Sequence, residues 1–166
     1  MVSVQAKKSH ICGGFLLCHD SRHCYKWAVN LTVVVGAHDI TRQESSSYRI
    51  DVKYYHIHPG YNAKTLENDI MLLQLVKTTP KSKAVQQIPL PKKDQDIKAK
   101  SFCTVAGWGA TETGGTANPR LLEVNVTVVD RRSCQRSWGN TATITPSLIC
   151  AGGTAADYKG VCQVWS

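Results

Sequence analysis

The sequence predicts an all-β fold built from two units, and three observations carry that reading. Short apolar and β-branched runs recur along the chain between turn residues, and no window holds a long helical period. The stretch 80–100 is polar, broken by Pro80, Pro89 and Pro91 and rich in lysine, so it reads as a connector between a first unit (1–79) and a second (101–166). Seven cysteines are spread along the chain, which suits a disulfide framework formed in an oxidising compartment.

The elements follow in order from local pattern. Met1–Gln5 alternates apolar and polar residues, as a half-buried strand does. Ile11–Leu17 is apolar around Cys12-Gly13-Gly14, and Leu31–Gly36 is a β-branched run closed by glycine. Tyr48–His56 mixes aromatic and β-branched residues with charged ones, and Ile70–Leu75 is strongly apolar. In the second unit Phe102–Ala106, Leu122–Val128 and Leu148–Ala151 have strand character. The single helical candidate is Asp130–Trp138, where Asp130 can cap the first turn.

Composition sets limits on function. With 42% apolar residues the chain can bury a sizeable core and does not resemble a disordered tail. The longest apolar runs, Ile70–Leu73 and Leu31–Val35, are strand length, so no transmembrane helix is expected. Met1–Gln5 followed by Lys7-Lys8 lacks the order of a signal peptide, in which charge precedes a longer apolar stretch. Asn30-Leu31-Thr32 and Asn125-Val126-Thr127 both fit the N-glycosylation acceptor, which agrees with secretion. A net charge of +8 admits nucleic acid, a membrane surface or an acidic glycan as partner. Lys92, Lys93, Lys98 and Lys100 are mixed with Asp94 and Asp96 as on a solvated connector, with no nucleic-acid motif and no interleaved aromatics. Nucleic acid and membrane are therefore not expected partners, and an acidic glycan is kept as the alternative.

Two segments carry candidate chemistry. His23-Cys24 lies downstream of Cys12, and a bridge between Cys12 and Cys24 can pin the imidazole in a loop; otherwise His23 is an ordinary surface histidine. Asn68-Asp69-Ile70-Met71-Leu72 sets one carboxylate at the mouth of an apolar strand, where an imidazole N–H is a natural partner and a turn-forming role is the plain alternative. Further on stand Cys103-Thr104-Val105-Ala106-Gly107-Trp108-Gly109, then Ile149-Cys150-Ala151-Gly152-Gly153, then Lys159-Gly160-Val161-Cys162-Gln163.

In this order and near this spacing, these motifs resemble the trypsin-like serine endopeptidases, in particular the granzyme and mast-cell-protease branch. The resemblance covers almost the whole chain and implies a chymotrypsin-like double β-barrel, here with the second barrel incomplete. It implies hydrolysis of a protein or peptide substrate, secretion or storage in a secretory granule, and no cofactor or metal. By position His23 resembles the general base, Asp69 the residue that orients it, and Ser166 the nucleophile by register only. The resemblance pairs Cys12 with Cys24 and Cys134 with Cys150. Gly160 falls at the floor of the primary specificity pocket, where an uncharged floor favours small or apolar side chains over Arg and Lys.

Three departures accompany the resemblance. The family continues Gly-Asp-Ser-Gly-Gly-Pro after the position of Gln163, whereas this chain reads Val164-Trp165-Ser166, and Ser166 is its last residue. Valine is poorly suited to the tight turn whose N–H groups form an oxyanion hole. Trp165 replaces the Asp that pairs with the amino terminus freed on zymogen cleavage, and Met1–Gln5 resembles an internal strand rather than that terminus. The segment from Cys12 to His23 is shorter than the family pattern, and Cys18 has no family counterpart. A truncated, inactive chain is therefore expected, with Cys18, Cys103 and Cys162 unpaired. Two other readings are a non-enzymatic binder of peptide or sulfated glycan, and a zinc site built from Cys12, Cys18, His19, His23 and Cys24.

Overall fold

The computed structural model describes residues 1–16, 30–65, 67–92, 96–112 and 114–153. It begins with a hairpin of β1 (Val2–Ala6) and β2 (Ser9–Gly14) joined by Lys7-Lys8. Both lysines adopt left-handed backbone, φ 47° and 70°. A two-residue turn needs that conformation to match the right-handed twist of the flanking strands. Because this turn starts the return strand at Ser9, β2 begins two residues before the expected Ile11 and runs to Gly14; Leu17, the expected end, lies outside the described residues.

The hairpin extends into a five-stranded antiparallel sheet in the order β2-β1-β3-β4-β5, with β3 at Leu31–Val35, β4 at Tyr48–Ile57 and β5 at Met71–Leu75. The register opposes Val2 to Val35 and Val4 to Val33, and Val33 to Ile50. These side chains meet Met71, Leu73, Leu16 and Cys12 in one buried cluster. β4 pairs with β3 through its first half and with β5 through its second, with an irregularity between Val52 and Tyr54 at the changeover. Gly36 closes β3 with φ 71°, and a Cβ there would lie 2.2 Å from the Ser46 carbonyl oxygen, so only glycine fits this turn.

The stretch expected to be a solvated connector is in part a component of the core. Val85 is buried in the first cluster, held by a tight turn in which Ser82 and Val85 exchange backbone hydrogen bonds. The Ile88 N–H donates to the Leu16 carbonyl at 2.8 Å. One apolar side chain in a lysine-rich stretch leaves little trace in composition, which is why the sequence concealed it.

A second sheet has the order β6-β7-β8, from β6 (Phe102–Gly107), β7 (Leu122–Val128) and β8 (Ala151–Gly152). Between β7 and β8 lies α1 (Arg131–Trp138), whose cap is Asp130, accepting from the Ser133 N–H at 3.0 Å. Of the expected strand Leu148–Ala151 only Ala151 lies in β8. Leu148 donates its N–H to the Thr145 carbonyl in a turn, and the Arg131 guanidinium binds the carbonyls of Thr145, Pro146 and Leu148. Those carbonyls are thus withdrawn from any ladder.

The two sheets are joined through Trp108. Its ring is 1% exposed, its Nε1–H donates to the His38 carbonyl at 3.0 Å, and it packs against the His10 ring at 5.6 Å between centroids. Alongside, Ile40 N–H donates to the Pro119 carbonyl and Leu121 N–H to the His38 carbonyl, with Asp39 bridged to Arg120. Among the described residues the fold is nearly all-β: two sheets and one short helix.

Candidate active site

Asp69 occupies a seat built by its neighbours. The loop before it is laced by backbone bonds: Tyr61 N–H to the His58 carbonyl at 2.9 Å, Asn62 N–H to the Glu67 carbonyl at 3.1 Å, and His58 N–H to the Ile70 carbonyl at 3.2 Å. Side chains reinforce it, with Gly60 N–H donating to His58 Nδ1 at 3.1 Å and Asn68 Nδ2 to the Gly60 carbonyl at 2.9 Å. Asn68 is left-handed, φ 53°, and its carbonyl accepts from the Ile70 N–H at 2.8 Å. Asp69 is therefore the middle residue of a three-residue turn, half-buried, two positions before Met71 enters the core. A carboxylate held on both sides by backbone bonds is suited to orienting an imidazole, because its own position costs little further entropy.

The other expected site residues divide into two groups. His23, Cys24, Gly160 and Ser166 lie outside the described residues, as do Cys18, His19 and Cys162. Cys12 is buried and disulfide-bonded, which removes it from the zinc reading; its expected partner Cys24 is outside the described residues. Among the described residues no group of three His, Cys, Asp or Glu side chains could hold a metal ion. Cys134 and Cys150 form the disulfide implied by the resemblance, with Cα atoms 6.3 Å apart, and Cys103 is a free thiol, half-buried. That disulfide ties α1 to β8. Beside it Arg131 pairs with both carboxylate oxygens of Asp96 and holds its carboxyl below the usual carboxylate range.

One polar network escaped sequence reading. Ser3 and Gln5 should face water by the alternation of β1, yet both are buried. The Ser3 hydroxyl bonds His10 Nδ1 at 2.7 Å and accepts from Gln5 Nε2 at 3.2 Å, and Gln5 Oε1 accepts from Arg49 Nη2 at 2.7 Å. Burial under Trp108 pushes the His10 imidazole below its ordinary value, so the neutral ring is favoured. The unfolded chain then binds this proton more readily. Stability contributed by neutral His10 is full above the unfolded value of about 6.5 and is lost as pH falls through the lower folded value. We expect denaturant midpoints to drop as pH falls below about 6.5, and His10→Gln to remove that part of the drop. The carboxyls of Asp39, Asp96 and Asp130 are all lowered by hydrogen bonds, so their contribution is lost only in more acidic solution.

A serine-peptidase arrangement was expected from motifs alone, and comparison with known proteins now bears on it. Residues 1–164 match the family model described as Trypsin. The chain belongs to the trypsin family. Within it, human granzyme B is 41% identical over 128 residues, which is 75% of this chain and 51% of that protein. Among solved structures, GrC superimposes with a TM-score of 0.83 at 30% identity, covering 97% of this chain and 72% of that one. A mutant of human heparin binding protein superimposes with a TM-score of 0.81 at 30% identity, covering 97% and 68%. These likenesses establish the chymotrypsin fold and the granzyme-like branch of the trypsin family. The chain spans about half the length of the curated relatives it matches. Among the described residues no helix is long and apolar enough to cross a membrane.

Proposed function

We propose that this chain carries the His and Asp part of a secreted, granzyme-like serine endopeptidase site, and that its own nucleophile position does not work. In this reading His23 is the general base, Asp69 orients it, and Ser166 stands where the family places its nucleophile. The observation that carries it is the family match over residues 1–164, taken with the turn that seats Asp69 at the mouth of β5. Secretion is supported by the Cys134–Cys150 disulfide, since such bonds persist in oxidising compartments. Protein or peptide substrates follow from the family, and the uncharged Gly160 points to small or apolar side chains at the cleavage site.

The inactive reading rests on residue types. Val164 and Trp165 stand where the family has Gly and Asp, and a valine resists the backbone turn that aims oxyanion-hole N–H groups. A fluorophosphonate probe labels only a serine made nucleophilic by its neighbours. Applied to the oxidised, folded chain and followed by peptide mass spectrometry, it should leave Ser166 unmodified. Stoichiometric labelling of Ser166 would overturn the inactive reading.

The likeness to heparin binding protein favours one second reading, capture of a sulfated glycan by the exposed lysines Lys92, Lys98 and Lys100. Retention on immobilised heparin that weakens steeply with salt and with Lys98→Ala/Lys100→Ala would support it. Retention indifferent to both would remove it.

A further inference from the structure

The outer face of the second sheet combines a glycan acceptor with an unusually bare aromatic ring. Residues directly opposite in an antiparallel pair share a face, and the register opposes Thr104 to Asn125 and Phe102 to Thr127. Phe102, Thr104, Asn125 and Thr127 therefore stand on one side of β6 and β7, while Val126 and Val128 are buried on the other. Phe102 is 84% exposed, more than any other exposed large apolar side chain in the described residues. Asn125 is exposed, and its side chain is engaged only through Oδ1 in the bond it makes with the Thr104 hydroxyl, at 2.9 Å. Asn125-Val126-Thr127 is an N-glycosylation acceptor.

We propose that Asn125 carries an N-linked glycan whose first sugar lies over the Phe102 ring. The linkage forms at Nδ2, which leaves Oδ1 free to keep accepting from Thr104. In the transfer, the Nδ2–C1 bond forms, the bond from C1 to a lipid-linked diphosphate breaks, the diphosphate carrier departs and the amide nitrogen gives up one proton. Phe102 is a diagonal neighbour of Asn125 across the strand pair, about 7–8 Å away and within reach of an aromatic side chain. A pyranose presents an apolar C–H face, and laying it on the ring removes apolar surface from water on both partners. The sugar then covers a phenylalanine that the described residues leave bare. The other acceptor, Asn30-Leu31-Thr32, sits in an exposed bend, where the Leu31 N–H donates to the Tyr55 hydroxyl at 3.1 Å.

The test is expression of the full chain behind a secretion leader in a eukaryotic host, with glycan occupancy read site by site by mass spectrometry. Asn125 should be occupied, and Asn125→Gln should remove one glycan. Unoccupied Asn125 overturns the proposal, whatever the state of Asn30. If the chain is retained in the cell, occupancy is read from the retained material, because transfer precedes folding. On folded protein, loss of the glycan through Asn125→Gln should lower the melting temperature by about 2–4 °C with Phe102 in place and by much less in a Phe102→Ser background. Equal shifts in the two backgrounds overturn the contact with Phe102.

Discussion

Replacing Trp108 with alanine is expected to lower the stability of the chain by about 3–5 kcal/mol, the cost typical of deleting a fully buried aromatic side chain. Trp108 is 1% exposed, and it touches both halves of the molecule: it belongs to the stretch just after β6, yet it donates to the His38 carbonyl and packs at a tilt against the ring of His10 in β2. Truncation therefore opens a cavity where the two sheets meet, rather than inside either one. His38 keeps a donor in Leu121, so the lost bond adds little and the transfer and cavity costs dominate. Trp108→Phe retains most of the apolar contact and should cost far less. Urea titrations of the three proteins would show this ordering, and an indifferent Trp108→Ala variant would mean that the sheets are not held together there.

Removing the Cys134–Cys150 bridge is expected to cost about 3 kcal/mol. The bond closes a loop with a sequence separation of 16, and the chain-entropy model assigns that figure to a loop of this size. Cys134 is buried, so the paired replacement by alanine avoids leaving a new polar group inside. A reductant should destabilise the parent chain by more than this, because it also opens the disulfide at Cys12, and the double variant should lose only the part due to Cys12. Part of the local order would survive, because Arg131 still binds Asp96 and the carbonyls of the 145–148 turn. An Arg131→Ala change placed on top of the double variant should therefore release α1 and β8 further.

Local pattern was sufficient wherever a segment has one buried face and an unambiguous stop. Leu122–Val128 was legible in full, since the buried Val126 and Val128 alternate with the exposed Asn125 and the half-buried Thr127, and Asp130 caps the helix that follows. It failed where burial is two-sided. Ser3 and Gln5 read as solvent-facing because alternation cannot reveal that His10, covered by the Trp108 ring, and Arg49 supply their partners. Val85 was hidden among lysines, and Leu148 was diverted from a strand by Arg131, a tertiary contact with no local signature. Of the site, the position of Asp69 at the mouth of β5 could be read directly, while the turn that holds it depends on His58, Gly60 and Asn68 acting together. Motif order, rather than any single residue, is what made the family visible.

In the proposed site His23 is brought to Asp69 by the neighbouring cysteine, and a disulfide map tests that most directly. The chain would be folded under oxidising conditions, alkylated, digested without reduction and sequenced by mass spectrometry. We expect Cys12 linked to Cys24, Cys134 linked to Cys150, and Cys103 carrying the alkyl group. Cys12 linked instead to Cys18 would leave the imidazole without its anchor and contradict the assignment of His23 as the general base.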